Sequence, residues 1–469
     1  MLKKTKIVCT MGPACDNEET LKKMMASGMN VARFNFSHGS HEEHLNRYNR
    51  VVKVRTELGL PVATLFDSKG PEIRFRLFEG GKVTVKDNDL FTLTTREVLG
   101  NSSIGAISYK NLINDVTIGT SILVNDGIIE LKVEEITDTD IICRVIHGGV
   151  ISDRKAINVP EVHLSIPFLS NTDTEDFKFA METGFDFFAL SFVRCAEDVM
   201  EIRRMQKAYG NTSKLIAKIE SQEGVANLDE IIAASDGIMV ARGDMGVEIP
   251  FEKVPVIQKD MIDKCLKAGK FVIVATQMLE SMTYNPRPTR AEVNDVANAI
   301  FDQTSAVMLS GESAAGNYPV EAVKTMSRIC CEIEKSAVAE KFDINYNGSN
   351  LASSIACAAC SIASIIKADA IIPVSLSGST IRKVSGFRPN IDIIGCSTKE
   401  SVCRETSLMW GVTPQLVTEQ KDGEALISEV IDKCKASGLI KPGNRVVIVA
   451  GFPLGIAGAT NMIRVVDVE

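Results

Sequence analysis

Several short apolar runs of the 469-residue chain end in polar side chains that could do chemistry together. Arg33, Asn35 and Ser37 close one run, Asp67 and Ser68 the next, and Lys218 and Glu220 a third. Arg242 with Asp244, Thr276, and Ser310 with Glu312 close three more. In "KLIAKIES" (214–221) Lys218 and Glu220 are two apart, so in an extended chain they share one face. Burying that pair is costly unless the charges neutralise each other or a ligand completes the site. Glu220 and Asp244 are carboxylates from neighbouring runs without a nearby His or Cys, a hard-oxygen set suited to Mg²⁺ or Mn²⁺. The alternative is a pair of structural ion pairs, Glu220 with Lys218 and Asp244 with Arg242. Arg33 offers a planar fork for an anionic substrate, and Lys218 a point charge for a developing oxyanion. Metal and cations together imply phosphoryl or enolate chemistry.

Such residues must be brought to one place. The runs 5–12, 30–38, 62–68, 186–193, 214–221, 237–245, 271–279 and 305–312 read as eight strands, and helical periods follow them at 17–28, 41–57 and 289–301. That alternation predicts an α/β fold, a (β/α)8 TIM barrel, whose active site lies where the strands end. Between the third and fourth strands the rhythm changes to short alternating runs, "KVTVKDNDLFTLTT" and "ILVNDGIIELKVEEITDTDIICRVIHGG", an inserted β lid. After the polar stretch "DINYNGSN" (343–350) a new α/β pattern begins, with a helix over 351–367 and strands over 370–374, 391–395 and 445–450. The expected domains are residues 1–74 and 162–340 for the barrel, 75–161 for the lid and 341–469 for a C-terminal unit.

A net charge of −8 with 24% charged residues provides no overall field for nucleic acid or a membrane surface. No run approaches the ~18 apolar residues of a membrane span, and the N-terminus turns polar too early for a signal peptide. Twelve cysteines, among them Cys9, Cys143, Cys265 and Cys357, sit in apolar runs as reduced thiols would, so a cytoplasmic location is expected. "HEEHL" (41–45) lacks zincin spacing and reads as a solvated helix start; Cys357 and Cys360 read as core; "GESAAGNY" (311–318) lacks the Lys of a Walker loop. In "SLSGSTIRKVSGFRP" (375–389), Ser375, Ser377, Gly378, Ser379 and Thr380 could form a phosphate nest, with helix capping the equal alternative. A glycine-rich loop, "GFPLGIAGATN" (451–461), could face it.

The stretches "ARFNFSHG" (32–39), "DSKGPEIR" (67–74), "AKIESQEGV" (217–225), "MVARGDMGVEIP" (239–250), "VATQMLESM" (274–282), "PRPTRAEVNDVANAIFD" (286–302) and "MLSGE" (308–312) resemble the pyruvate kinase family, in order and spacing, over essentially the whole chain. The resemblance implies a barrel with a β-barrel lid after strand three and a C-terminal α/β regulatory domain. It implies phosphoryl transfer from phosphoenolpyruvate to ADP, giving ATP and pyruvate through a Mg²⁺-stabilised enolpyruvate that is then protonated. By position, Glu220 and Asp244 would bind Mg²⁺ (or Mn²⁺), and Asn35, Ser37, Asp67 and Ser68 would bind K⁺. Arg33 would grip the substrate phosphate, and Lys218 would stabilise the transferring group. Gly243, Asp244 and Thr276 would hold the substrate carboxylate, with Thr276 and Ser310 on the proton path. Asn35, His38, Arg74 and Lys155 would meet the nucleotide. The 375–380 loop would take a sugar-phosphate effector, although Leu376 leaves a different phosphorylated effector, or none, open. A homotetramer is implied, and the chain ends at Glu469 without a phosphohistidine-like tail. Ser68, the Asn125-Asp126 pair and Ala156 depart from the family's usual residues, and Glu72 resembles its potassium-requiring branch. A magnesium-dependent aldolase or lyase, or a non-catalytic metabolite sensor, are the rival readings.

Overall fold

The computed structural model describes residues 3–336, 350–454 and 459–469. Eight parallel strands close into a barrel: Lys6–Thr10, Val31–Asn35, Ala63–Asp67, Phe187–Leu190, Lys214–Ile219, Gly237–Ala241, Phe271–Ala275 and Ala306–Leu309. Strand alternation sorts their side chains. Val8, Val31, Leu65, Ala189, Ile216, Met239, Ile273 and Met308 fill the barrel interior, and Leu408 of the C-terminal unit joins them. Residues of opposite parity, such as Phe34, Phe66 and Phe188, pack outward against the helices. Interior parity continued toward the strand ends reaches Thr10, Arg33, Asp67, Ser191 and Lys218, so the same alternation that fills the base with hydrocarbon lines the mouth with polar groups.

Every strand stops earlier than the sequence runs suggested. The run 237–245 ends as a strand at Ala241, and Arg242–Glu248 forms a short helix. Arg242 and Asp244 therefore belong to the connection after strand six. Phe192, Thr276 and Gln277, just past strands four and seven, have φ of 54°, 68° and 54°. These left-handed turns, uncommon for non-glycine residues, end the strands at the rim. A second expectation fails nearby: His44 is not solvated but buried, its ring stacked on Phe36 with centroids 4.0 Å apart. The sequence showed its helical position but not which partners the barrel would bring over it.

Between strands three and four the lid is a seven-stranded sheet plus a two-stranded ribbon around one apolar core that includes Phe75, Phe91, Leu131 and Val145. The sheet already includes Ile73–Arg74, paired with Ala156–Asn158. A bridge between Phe75 and Ile107 joins the two ends of the sheet and closes it as a barrel.

The C-terminal unit is a five-stranded sheet with its last strand, Thr460–Asp467, antiparallel on the edge. That strand and Val412–Leu416 were not expected; the first carries charged and polar residues among its apolar ones, and the second contains Pro414, tolerable on an edge. Helix Leu351–Ile365 buries Cys357 and Cys360 as core residues. The expected boundary at 340/341, most of the 343–350 linker and the 455–458 part of the glycine-rich loop lie outside the described residues. Among the described residues, no helix is long and apolar enough to cross a membrane.

Candidate active site

At the barrel mouth, Arg33, Asp67, Lys218 and Glu220 form one buried charged chain. Arg33 Nε lies 2.6 Å from Asp67 Oδ2, and its Nη1 donates to Thr10 Oγ1 at 2.8 Å. Lys218 Nζ is 3.1 Å from Asp67 Oδ1 and 3.0 Å from Glu220 Oε1, and donates to Ser191 Oγ at 2.6 Å. Exposure is 8% for Arg33 and Lys218, 1% for Glu220 and 0% for Asp67, so these charges interact with little screening by water. Burial favours a neutral Asp67, but Arg33 and Lys218 outweigh it and hold the carboxyl below its usual range. Burial likewise opposes the Lys218 charge, yet Asp67 and Glu220 hold that ammonium above the usual lysine range. Burial pushes Glu220 up to about 8, against Lys218 and with help from Asp244.

Glu220 is the member left incomplete. Its Oε2 accepts the Phe192 N–H at 2.5 Å, a donor aimed by the left-handed turn there, but Oε1 is buried and accepts no hydrogen bond despite Lys218 nearby. A buried carboxylate oxygen that faces an ammonium but accepts no hydrogen bond, with a second carboxylate close enough to raise its proton affinity, fits a divalent cation. Among the described residues no cluster of three or more His, Cys, Asp or Glu ligands exists. Two protein carboxylates suffice for Mg²⁺, which keeps waters and takes other oxygens from substrate. Of the two ion pairs in the alternative reading, Glu220 with Lys218 forms at 3.0 Å, whereas Asp244 is exposed and does not pair with Arg242, which bonds Asp295 at 2.7 Å and the carbonyls of Ala275 and Thr276 at 3.1 and 2.5 Å. Those bonds turn the guanidinium away from Asp244 and hold the short helix onto strand seven.

Around this centre, Gly243 N donates to Thr276 Oγ1 at 2.8 Å, which brings those two expected residues together. Ser310 follows strand eight, where buried Glu312 accepts the N–H groups of Ser310 at 2.6 Å and Leu279 at 3.0 Å. Asn35 and Asp67 are register partners across strands two and three, and Asn35 Oδ1 accepts the Ser37 N–H at 3.2 Å. Ser68 is held by Ser191: its Oγ accepts the Ser191 N–H at 3.1 Å and its carbonyl the Ser191 hydroxyl at 2.6 Å. At the lid base Arg74 lies opposite Ala156, the residue after Lys155; Arg74 pairs Glu72 at 2.6 Å and the carbonyl of Lys155 accepts from Phe75 at 2.9 Å. His38 is exposed on the barrel side. Sequence reasoning missed Thr10 and Ser191; both share the interior parity of their strands, which was the available signal.

Far from the mouth, Ser375 and Thr380 line a cavity of about 80 Å³ together with Gly451 and Thr460. Thr380 and Thr460 hydroxyls are 2.7 Å apart, so the two loops meet. Gly378 with φ 76° precedes the helix Ser379–Gly386 and no side chain caps it, so the hydroxyls of Ser377 and Ser379 do not serve as its cap.

The lid is tied to the barrel site by Asn158, whose Nδ2 donates to Glu248 Oε1 at 2.7 Å, at the end of the helix that carries Asp244. Glu248→Leu is expected to lower kcat/KM about tenfold or more, the worth of a hydrogen bond to a charged group, whereas Glu248→Gln keeps an acceptor oxygen and much of the activity. Steady-state kinetics on both variants check this; equal losses would mean that the charge, not the tie, matters.

A closed barrel whose mouth gathers cations around buried carboxylates, under an inserted lid, defines an enzyme that handles a small anionic substrate. Two family models match: "Pyruvate kinase, barrel domain" over residues 2–323 and "Pyruvate kinase, alpha/beta domain" over residues 353–466. Pyruvate kinase of Clostridium acetobutylicum is 44% identical over 100% of both chains. That of Geobacillus stearothermophilus is 45% identical over 99% of this chain and 80% of its own. A crystal structure of a pyruvate kinase from Cryptosporidium parvum superposes with a TM-score of 0.91 at 38% identity, covering 100% of this chain and 96% of that one. The chain belongs to the pyruvate kinase family, and its reaction transfers the phosphoryl group of phosphoenolpyruvate to ADP, giving pyruvate and ATP. The aldolase, lyase and sensor readings fall away.

Proposed function

We propose that this activity depends on Mg²⁺ or Mn²⁺ held by Glu220 and Asp244 and on K⁺ held by Asn35, Ser37, Asp67 and Ser68. The observation that carries the proposal is the buried Glu220 Oε1, which faces the Lys218 ammonium at 3.0 Å and accepts no hydrogen bond. When bound, the divalent ion supplies charge stabilisation to substrate oxygens. The potassium set is all oxygen, suiting a hard cation, and shares Asp67 with Arg33 and Lys218.

The chain's own residues do the rest. Asp67 and Thr10 hold two nitrogens of the Arg33 guanidinium, so its fork is fixed before the substrate phosphate arrives. Lys218 stays charged and follows the phosphoryl group in transit, where positioning and charge stabilisation dominate. Gly243, Asp244 and Thr276 hold the substrate carboxylate, and Thr276 with Ser310 brings a proton to the enolate carbon. Asn35 and His38 from the barrel and Arg74 and Lys155 from the lid contact the nucleotide, and lid closure excludes water that would otherwise take the phosphoryl group. We further read the chain as a cytoplasmic homotetramer, whose 375–380 loop takes a phosphorylated effector such as a sugar phosphate.

A coupled assay for pyruvate formation tests the ion requirement. Activity is expected to vanish on chelation, return with Mg²⁺ or Mn²⁺, and rise when K⁺ replaces Na⁺; full activity in chelator would remove the metal role. Repeating the assay with a panel of sugar phosphates tests the effector loop.

A further inference from the structure

The base of the barrel, remote from the mouth, meets the C-terminal unit across a small cavity of about 20 Å³ lined by Lys270, Ser305, Arg382, Arg388, Met409 and Trp410, among others. Its charges are all of one sign. Arg388 is only 8% exposed, and its Nη2 has neutral partners alone, Ser305 Oγ at 3.0 Å and the Gln303 carbonyl at 3.3 Å, while its guanidinium lies 4.9 Å from the Trp410 ring. Lys270 Nζ donates to backbone carbonyls, including Ala233 at 2.9 Å and Ser235 at 2.7 Å. The Nε atoms of both Arg382 and Arg388 are buried and have no hydrogen-bond partner. None of the ion pairs among the described residues involves Lys270, Arg382 or Arg388. A buried guanidinium without a counter-charge, and with an unsatisfied N–H, is costly on both counts. A space of this size admits one water-sized particle.

We propose that the cavity is a binding site for one small inorganic anion of halide size, taken by the Nε–H groups of Arg382 and Arg388 at the junction between barrel and C-terminal unit. A halide accepts from both donors and supplies the missing negative charge; a water satisfies the donors but leaves the charge. Occupancy then stabilises the junction by mass action.

Crystals of the full chain grown in bromide are expected to show an anomalous peak between the two guanidinium groups, absent in Arg382→Met. In solution, replacing sodium gluconate with sodium bromide or chloride at constant ionic strength is expected to raise the unfolding temperature saturably, on the order of a few degrees, and Arg382→Met is expected to lose that rise. Arg382 is the half-buried member of the pair, so this variant tests the site while leaving Arg388 and its Trp410 contact in place. Water alone at the site, a bromide peak that survives Arg382→Met, or a halide response identical in both proteins overturns the proposal.

Discussion

Lys218→Met is expected to lower phosphoryl transfer from phosphoenolpyruvate to ADP by about 10³–10⁵-fold, the range found when a cation facing a transferring phosphoryl group is removed. Methionine matches the length of the aliphatic stem, so packing changes little, but the charge between Asp67 and Glu220 disappears. Two buried carboxylates then have Arg33 as the remaining cation in contact, through Asp67. Because Lys218 opposes the burial-driven rise of Glu220, its loss drives that carboxyl further toward the neutral form. Proton exchange at the methyl carbon of added pyruvate is expected to persist in part, since it does not require charge on the phosphoryl path. The two activities are measured on one preparation, by a coupled assay and by proton exchange followed by NMR. Near-normal transfer in the variant would remove Lys218 from its assigned role. Lys218→Arg is expected to fail as well: Ser191, Asp67 and Glu220 surround a point charge within 2.6–3.1 Å, and a planar fork does not fit that arrangement.

Glu220→Gln is expected to weaken Mn²⁺ binding, measured by direct titration, on the order of 10²-fold or more, in line with removing one partner from a buried charge pair. The substitution is nearly isosteric, and the amide oxygen still accepts the Phe192 N–H, so the turn after strand four stays in place. What goes is the negative charge at Oε1, which faces Lys218. Thermal unfolding of the metal-free protein is therefore expected to change much less than metal affinity, because the amide fills the same space and Lys218 keeps its contacts with Asp67 and Ser191. A variant that unfolds early and binds metal normally would mean that Glu220 is a structural partner of Lys218 and nothing more.

Much of this was legible without coordinates. Short apolar runs alternating with period-3.6 patterns identified the barrel because each strand of such a fold must bury both faces and each helix one, and that requirement writes itself into local sequence. Lys218 and Glu220 stood out for the same reason, as charges in a run that otherwise demands hydrocarbon. Local pattern does not encode where a strand stops. Local pattern extends strand six to Arg242 and Asp244, whereas the chain coils after Ala241, where Arg242 finds Asp295 and two carbonyls at the end of strand seven, partners remote in sequence. The edge strands of the C-terminal unit were missed because an edge carries polar residues and proline that a central strand would not tolerate.

What the chain alone determined, then, is the inventory: which residues must be inside, which carry charge despite that, and the alternation that points them to one rim. Tertiary structure decided the pairing. Ser191 and Thr10 are ordinary hydroxyl residues in the sequence, and they hold Lys218 and Arg33 only because barrel closure puts strand four beside strand five and strand one beside strand two. Likewise Glu220 Oε1 is left facing Lys218 without a hydrogen bond only once packing has withdrawn water from it. Burial and partner choice depend on distance in space, and a barrel makes neighbours of residues more than a hundred positions apart, such as Asp67 and Lys218, separated by 151.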